Sequence, residues 1–308
     1  MWSMCVMGSR ERDLRLTTRF GARARPFGRC VFSLHRTPGY RCVISAISVR
    51  YQEFTPSEQI GNLVARLWTM TVENDVTLDA QHRVVPDGCV DLVVMKKHES
   101  PVTMTVRGPR LTPLFVPVSR GDRFWGARLW PDVGGLIVGV TSETLVERMY
   151  PGSMFFGLDA SRLGLALAAT TRDEAIPLAW EAWFEPRVAA LSAIDPKVRL
   201  SIVALNAVHG ALGIERLAAM VSLSARQLQR RFRRATGLTV KSYARIRRFR
   251  QSLTHLLDRE TATWSAVANR LGFADQSHLI SEFTRLAGAR PSEIAAYVKA
   301  FQHIDVRP

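Results

Sequence analysis

Between residues 49 and 131, short runs of β-branched and aromatic residues alternate with turn signals that contain Gly and Pro. The runs predict strands at 84–85, 90–95, 102–109, 114–119 and 124–131, with a turn at 86–88. Before them, apolar residues at helical spacing in 56–70 predict a short helix that leads into a strand. Strands of this kind indicate a small β-barrel or sandwich, and from residue 141 onward the pattern is helical.

The segment 224–237, SARQLQRRFRRATG, has the pattern of an amphipathic helix that starts after Ser224 and stops at Gly237. Its apolar residues, Leu228 and Phe232, share one face and predict docking on a core. Another face carries side chains that can pair with base edges, namely Arg226, Gln229, Arg230 and Arg233. Residues 214–223 predict a preceding helix and turn, which completes a helix-turn-helix unit.

A second copy of this pattern lies 50 or 51 residues further along, in VANRLGFADQSHLISEFTRLAG at 267–288. Phe232 corresponds to Phe283 and Gly237 to Gly288, with one residue added in the turn. A helix predicted over 239–257 joins the copies. Two helix-turn-helix units joined by one helix are a more specific sequence signal than a single helical hairpin. Because the second stripe has no arginines, we expect the first unit to supply most of the attraction to phosphate.

The distribution of charge supports a polyanionic partner for one part of the chain. The 308 residues carry a net charge of +15. Residues 51–195 contain 13 basic and 18 acidic residues, whereas residues 196–259 contain 14 basic and two acidic ones. A basic segment beside an acidic domain is typical of a protein that binds a polyanion through one part only.

The first 48 residues differ from the rest, because they are rich in Arg, poor in acidic residues and without sustained apolar periodicity. They predict a disordered basic extension, or a stretch upstream of the true start codon. No apolar run reaches the roughly 18 residues of a membrane span, so no membrane partner is expected. The cysteines show no CxxC or His/Cys metal spacing and favour a reducing cytoplasm: Cys5, Cys30, Cys42 and Cys89.

Residues from about 196 to 300 resemble the DNA-binding domain of the AraC/XylS family of bacterial transcription regulators. The matching residues are Leu217-Ala218, Ser222, Leu228-Gln229-Arg230, Phe232, Thr236-Gly237, and GFADQSHL with Phe283, Gly288 and Pro291. Residues 51–150, with VPDGCVDLVV and GARLWPDVGG, resemble the sensor-like domain of one branch of that family. This second resemblance implies a cupin-like β fold.

The family resemblance also implies which residues contact DNA. In the first unit it places base readout on Arg226, Gln229 and Arg230. In the second unit it implies contacts by Gln276, Ser277, His278 and Ser281. The sequence departs from the family at one point, because many members have a basic residue near 281, where this chain has Ser281 and Glu282.

These patterns together predict a multidomain α+β protein that binds DNA. The expected parts are a basic extension at 1–48, a β-rich sensor or dimerisation domain at 49–150, a helical connector at 151–195 and a DNA-binding domain at 196–303 with two helix-turn-helix units. The expected partners are double-stranded DNA and a small-molecule effector, with RNA polymerase and a second copy of the chain as further options. No cofactor is expected. Trp68 and Trp125 are the candidates to line an apolar effector pocket.

Two enzymatic alternatives stay open on the sequence. A DNA-repair methyltransferase with this module needs a zinc-held reactive cysteine among four clustered cysteines, whereas those here are 25, 12 and 47 positions apart. A cupin-type enzyme needs clustered His and carboxylate ligands, and only His82 and His98 occur in 51–195. Asp87 and Asp91 are interpreted as a turn residue and an edge carboxylate, and Cys89 as a buried strand thiol. The sequence therefore favours a regulator without catalytic residues or a metal.

Overall fold

The structure is a computed structural model that describes residues 49–73, 81–98, 100–257 and 263–295. The predicted basic extension at 1–48 lies outside the described residues, as does the predicted DNA-binding domain beyond 295. The described residues are built on β-sheet in their N-terminal half and on helices in their C-terminal half. This arrangement confirms the predicted α+β class with a β-rich N-terminal part.

The described part of the N-terminal half contains a larger and a smaller antiparallel sheet. The strands are β1 (Val49–Phe54), β2 (Val64–Val72), β3 (Gln81–Val84), β4 (Asp91–Lys96), β5 (Thr103–Arg107), β6 (Leu114–Pro117), β7 (Arg123–Leu129) and β8 (Met149–Pro151). The larger sheet has the strand order β1-β2-β7-β4-β5-β8, and the smaller sheet pairs β3 with β6.

The larger sheet has two differently packed faces, because successive side chains of a strand point to opposite sides. One face packs on helices through apolar side chains that include Leu67, Leu92, Val94, Met104, Val106, Trp125, Ala127 and Leu129. The opposite face carries Trp68, Met70, Val93 and Phe124, which pack with residues of the smaller sheet such as Val116. The second face is the one that bears on function.

The helix predicted at 56–70 is wrong. Residues 58–63 form turns, and β2 begins at Val64. The register of β2 against β7 shifts between Val64 and Arg66, so Val64 and Leu67 are both buried in the same core despite their spacing of three. A β-bulge adds one residue to a strand and thereby imitates the apolar spacing of a helix. The helical pattern from 141 onward is also interrupted, by the three-residue strand β8.

Short helices follow the strands and cover the larger sheet. They are α1 (Gly134–Val138), α2 (Ser142–Leu145), α3 (Ser153–Phe156), α4 (Leu158–Ala168) and α5 (Ala175–Phe184), followed by a 3₁₀ helix at Glu185–Ala193. The predicted connector at 151–195 is helical, and its residues Leu163, Leu167, Trp180 and Phe184 share one core with the sheet. The domain boundaries stay a prediction.

The C-terminal half consists of two similar helical pairs joined by a long helix. The helices are α6 (Pro196–Ala207), α7 (Ile214–Met220), α8 (Ala225–Thr236), α9 (Val240–Leu257), α10 (Trp264–Arg270) and α11 (Gln276–Ala287). Each pair is shaped by its turn and caps. Ser224 forms a capping box with Gln227 at the start of α8, and Asp275 accepts a hydrogen bond from the His278 N–H at the start of α11.

The two turns show where the extra residue of the second copy lies. Ser222 and Gly272, 50 positions apart, both have positive φ, of 51° and 71°. The caps Ser224 and Asp275 are 51 positions apart, so the added residue falls between the left-handed position and the cap. No helix in the described ranges is both long and apolar enough to cross a membrane.

Candidate functional sites

The arginine stripe of α8 lies on an exposed surface. Leu228 and Phe232 are fully buried, which turns the opposite side of the helix outward. Arg226, Gln229, Arg230 and Arg233 are all exposed and line one groove. The same groove is lined by Thr239, just before α9, and by Lys241 and Arg248 of α9. The structure therefore brings together the four predicted residues of the first unit and adds two cations from α9.

One residue of this stripe is already engaged by the N-terminal half. Arg233 forms an ion pair with Glu143 of α2, and the Ser142 hydroxyl of α2 donates to the Ala235 carbonyl at 2.6 Å. Both charged side chains are substantially exposed, at 61% and 49%. Because exposed pairs contribute only about 0–1 kcal/mol, this contact orients Arg233 without locking it.

The C-terminal end of α8 approaches α2 closely. Gly237 ends the helix in the left-handed conformation with φ of 75°. A Cβ atom built at Gly237 would lie 2.6 Å from the Ser142 carbonyl oxygen, so only glycine allows this approach. The corresponding Gly288 after α11 lies beside Pro113 and Phe115 of the N-terminal half. Both α8 and α11 thus end against the N-terminal half.

The predicted residues of the second unit are exposed at the start of α11, as Gln276, Ser277, His278 and Ser281. His278 also has a local structural contact, because its Nδ1 accepts from the Ala274 N–H at 3.2 Å. Glu282, the departure from the family pattern, is 8% exposed and pairs with Arg245 of α9, with Arg245 Nε 2.9 Å from Oε2. Glu282 therefore joins α11 to α9 and lies away from the exposed stripe.

A cavity of about 130 Å³ lies between the two sheets, on the face of the larger sheet that does not pack on helices. Its apolar walls are formed by Val49, Tyr51, Trp68, Met70, Val84, Val85, Pro86, Val93, Leu114, Val116 and Phe124. Trp68, which was predicted to line a ligand pocket, lines this cavity, and its contact with a ligand stays a prediction. Trp125 does not, because it alternates with Phe124 and points into the helix-covered core, where it is fully buried.

One end of the cavity carries a row of charges across three neighbouring strands. In the strand register, Asp91 of β4 lies directly opposite Arg107 of β5 on one side and Arg128 of β7 on the other. Arg128 Nε lies 2.7 Å from Asp87 and 3.4 Å from Asp91, and the three side chains are only 12–16% exposed. Asp91 thus lies on an interior strand of the sheet. Its interpretation from the sequence as an edge carboxylate is therefore wrong.

The loop at 85–90 connects this charged end to the C-terminal half. Asp87 accepts from the Cys89 N–H at 2.9 Å, which confirms its turn role, but Cys89 is a half-buried loop residue and not a strand thiol. Gly88 has φ of 83°, and a Cβ built there would lie 2.8 Å from the Tyr243 ring of α9. Arg250 of α9 completes the wall of the cavity. The cavity is therefore shared by both halves.

The buried charges at this end strongly shift the acidities of their neighbours. Burial raises the pKa of Asp91 to about 6, helped by the charge of Asp87 and opposed by Arg128 and Arg107. Burial acts in the same direction on Asp87, but Arg128, Arg250 and the Cys89 N–H hold its pKa below the usual range. Burial and Arg107 lower the pKa of His82 to about 4, so its imidazole is neutral near pH 7.

The raised pKa of Asp91 makes a testable contribution to the pH dependence of stability. Its ordinary pKa of 3.8 rises to about 6 on folding, so the folded state holds the proton more tightly and ionisation costs stability. That cost grows from about pH 4 to about pH 6. We expect Asp91→Asn to gain melting temperature relative to the unaltered protein as pH rises through this window. A difference that is the same at every pH would contradict the assignment, since the contribution of His82 cancels in the comparison.

The C-terminal, helical half of the chain is similar to known DNA-binding proteins. Residues 217–296 match a family model described as a helix-turn-helix domain, and residues 52–151 match one described as a domain of unknown function. The DNA-binding domain of AdpA, a global transcriptional factor whose structure includes a target DNA, is 31% identical, with 34% of this chain and 95% of that chain covered and a TM-score of 0.30. The chain belongs to the AraC/XylS family of transcription regulators.

Two further solved structures resemble this AraC/XylS-family chain at lower identity. The C-terminal domain of AraT, a response regulator from Geobacillus stearothermophilus, is 20% identical over 33% of this chain and 86% of that chain, with a TM-score of 0.31. ToxT from Vibrio cholerae is 11% identical over 84% of this chain and 100% of that chain, with a TM-score of 0.39. Since these TM-scores are below 0.5, the family assignment rests on sequence. No curated protein matches the chain.

Within this AraC/XylS-family chain, sequence reasoning missed the charged end of the cavity. Asp87, Asp91, Arg107, Arg128 and Arg250 are scattered along the sequence, and no spacing marks them as neighbours. VPDGCVDLVV contains two of them, which was the one local signal. Across the described ranges, no group of three His, Cys, Asp or Glu side chains lies close enough to hold a metal ion.

Proposed function

We propose that this protein regulates transcription by binding an operator mainly through α8, under the control of a small molecule in the cavity between the sheets. The observation that carries the proposal is the exposed row of Arg226, Gln229 and Arg230 on a helix whose opposite face is fully buried. Arg and Gln side chains can form paired hydrogen bonds with guanine and adenine in the major groove. The cations of α9 that share the groove supply attraction to the phosphate backbone.

The second unit is proposed to adjust specificity more than affinity. Its exposed residues, Gln276, Ser277, His278 and Ser281, carry no formal positive charge at neutral histidine. Hydroxyl and amide groups can read base edges but attract phosphate weakly. Glu282 does not oppose binding, since it is buried against Arg245.

Single alanine substitutions in the two recognition helices test this division. Arg226→Ala and Arg230→Ala are each expected to weaken operator binding by about 1–3 kcal/mol. Ser277→Ala and Ser281→Ala are expected to cost about 1 kcal/mol or less, the value of one neutral hydrogen bond. Arg233→Ala should cost less than the other two arginine changes, because Arg233 must leave Glu143 before it contacts DNA. The affinities are measured by fluorescence anisotropy on an operator selected from a random duplex pool.

A matched control for this series is Arg162→Ala on α4, since Arg162 is 76% exposed and lies in the N-terminal half. It removes one positive charge without touching either recognition helix, so it should leave the affinity nearly unchanged. If the serine variants lose as much affinity as Arg226→Ala and Arg230→Ala, the assigned roles of the two units are wrong. Circular dichroism of each variant separates loss of contact from loss of folding.

The remaining partners follow from the same proposal. A regulator of this type acts at promoters, so we include contact with RNA polymerase and self-association as a homodimer, a location in the cytoplasm, and no catalytic activity. The N-terminal half offers the cavity as the effector site. Its wall contains Arg250 of α9, so an effector there touches the helix that joins the two helix-turn-helix units.

A further inference from the structure

An ion pair inside the C-terminal half joins α11 to α9. The Glu282 carboxylate of α11 accepts two hydrogen bonds from the Arg245 guanidinium, with Arg245 Nε 2.9 Å from Oε2 and Nη2 bonded to Oε1. The side chain of Glu282 is 10% exposed and that of Arg245 is 23% exposed. Two parallel hydrogen bonds between planar groups fix the angle between the side chains as well as their distance.

A second polar contact from α9 lies one helical turn further along. Arg248 Nη1 donates to the Gly272 carbonyl at 3.2 Å, in the turn between α10 and α11. Residues three positions apart are neighbours on a helix surface, so Arg245 and Arg248 reach the second unit from the same side of α9. The second helix-turn-helix unit is therefore attached to α9 both at its turn and at the middle of α11.

The corresponding position of the first unit is built differently. The residue 51 positions before Glu282 is Arg231 of α8, whose side chain is 45% exposed. Arg231 pairs at 3.2 Å with Asp195, the residue that caps α6. The two positions carry opposite charges and contact different helices, so the pair of Arg245 with Glu282 is particular to the second unit.

A buried pair of this kind restricts geometry more than it adds stability. Taking two charges out of water costs about as much as their attraction returns, and apolar side chains often replace such pairs without loss of stability. A tilt of about 10° at Glu282 would move Ser277, about 7.5 Å away along the helix axis, by about 1 Å. That displacement exceeds the range of about 0.5 Å over which N–H···O distances vary in proteins.

We propose that the Arg245–Glu282 pair positions α11 for base readout, so that Glu282 determines specificity at the second unit without touching DNA. This inference rests on the proposed function, since it concerns how the second unit reads the operator. The exposed side chains of Gln276, Ser277 and Ser281 then reach base edges only while the pair holds α11 at this angle. The charge of Glu282 is tolerated beside a polyanion because Arg245 neutralises it.

Two variants of the full chain separate positioning from stability and from charge. The double variant Arg245→Met with Glu282→Met removes one charge of each sign, so the net charge is unchanged. Arg245→Lys keeps the positive charge but loses the two parallel hydrogen bonds of the guanidinium. The control is Arg50→Gln with Glu73→Gln, which removes an exposed pair of the N-terminal half, with side chains 68% and 48% exposed, at the same charge balance.

The measurement is the affinity for the selected operator and for every single base-pair substitution of it, by fluorescence anisotropy. Base pairs whose penalty disappears in Gln276→Ala or Ser277→Ala belong to the second unit, and those that respond to Arg230→Ala belong to the first. Loss of one neutral hydrogen bond corresponds to a penalty of about five-fold. We expect the second-unit penalties to fall below about two-fold in the double variant and below about three-fold in Arg245→Lys.

The penalties at first-unit base pairs should stay unchanged in both variants, and the control should keep every penalty. The double variant should melt at or above the temperature of the unaltered protein. If it is destabilised, Arg245→Lys decides by the same criteria. The proposal is overturned if a folded variant keeps the second-unit penalties, if the penalties of both units fall alike, or if no base pair responds to Gln276→Ala or Ser277→Ala. An operator in which no base pair responds to Arg230→Ala would instead contradict the proposed function.

Discussion

Replacing Phe232 by alanine is expected to unfold the first helix-turn-helix unit and to abolish operator binding. The ring is fully buried, and its centroid lies 5.6 Å from the ring centroid of Tyr243. This contact packs α8 against α9. Tyr243 in turn donates to Asn206 of α6 at 2.8 Å, so the loss propagates to a third helix. Removing a buried aromatic side chain costs about 3–5 kcal/mol, which is a large fraction of the roughly 5–15 kcal/mol by which a native protein is stable.

Urea unfolding followed by circular dichroism measures this loss. The matched control is Met220→Ala on α7, because Met220 is an apolar residue of the same unit that is 53% exposed. We expect the control to change stability by about 0.5 kcal/mol or less. Operator binding that survives Phe232→Ala would show that α8 is held by contacts other than this core.

Replacing Asp87 by alanine is expected to destabilise both halves. Asp87 is the nearest carboxylate to Arg128 Nε, at 2.7 Å, and its side chain is 12% exposed. Without it, Arg128 retains only the longer contact, with Asp91 at 3.4 Å. Breaking a buried pair by removing one partner costs about 3–5 kcal/mol. The melting temperature of the full chain reports the loss.

Asp159→Ala is the control for this substitution. Asp159 also pairs with an arginine, Arg187 at 3.2 Å, but its side chain is 49% exposed. A pair of that exposure contributes about 0–1 kcal/mol, so the control should melt close to the unaltered protein. Equal losses in the two variants would mean that the Asp87 pair is better solvated than the structure indicates.

The helical half could be predicted from sequence because its information is local. The side chains that fix α8 lie within one helix, where a spacing of three or four residues identifies the faces. The stop signals at Gly237 and Gly288 are local in the same way, and both have the expected left-handed conformation. Which exposed residues touch DNA stays a prediction, because exposure is necessary for contact but does not establish it.

The cavity could not be predicted, because its residues meet through strand register. Asp91 and Arg128 are cross-strand neighbours although 37 positions separate them in the sequence, and Arg250 arrives from another half of the chain. Alternation along β7 indicates that Phe124 and Trp125 face opposite sides, but it does not tell which side is the core. The choice of Trp125 as a ligand residue failed for this reason. The strand β2 was missed for another reason. The bulge in β2 changes the spacing of its buried residues, so the alternation typical of a strand is interrupted.

The contacts at the two stop glycines have a consequence for the geometry of the operator. Gly237 lies against Ser142 of α2, and Gly288 lies against Pro113 in the loop before β6, so α8 and α11 both end in contact with the N-terminal half. We expect these contacts to fix the distance and the rotational phase between the two stretches of duplex that α8 and α11 contact. DNA turns once in roughly 10.5 base pairs, so an operator whose stretches are half a turn out of phase presents one of them to the wrong side. We therefore expect the spacer length that an operator tolerates to depend on residues of the N-terminal half as well as on α8 and α11.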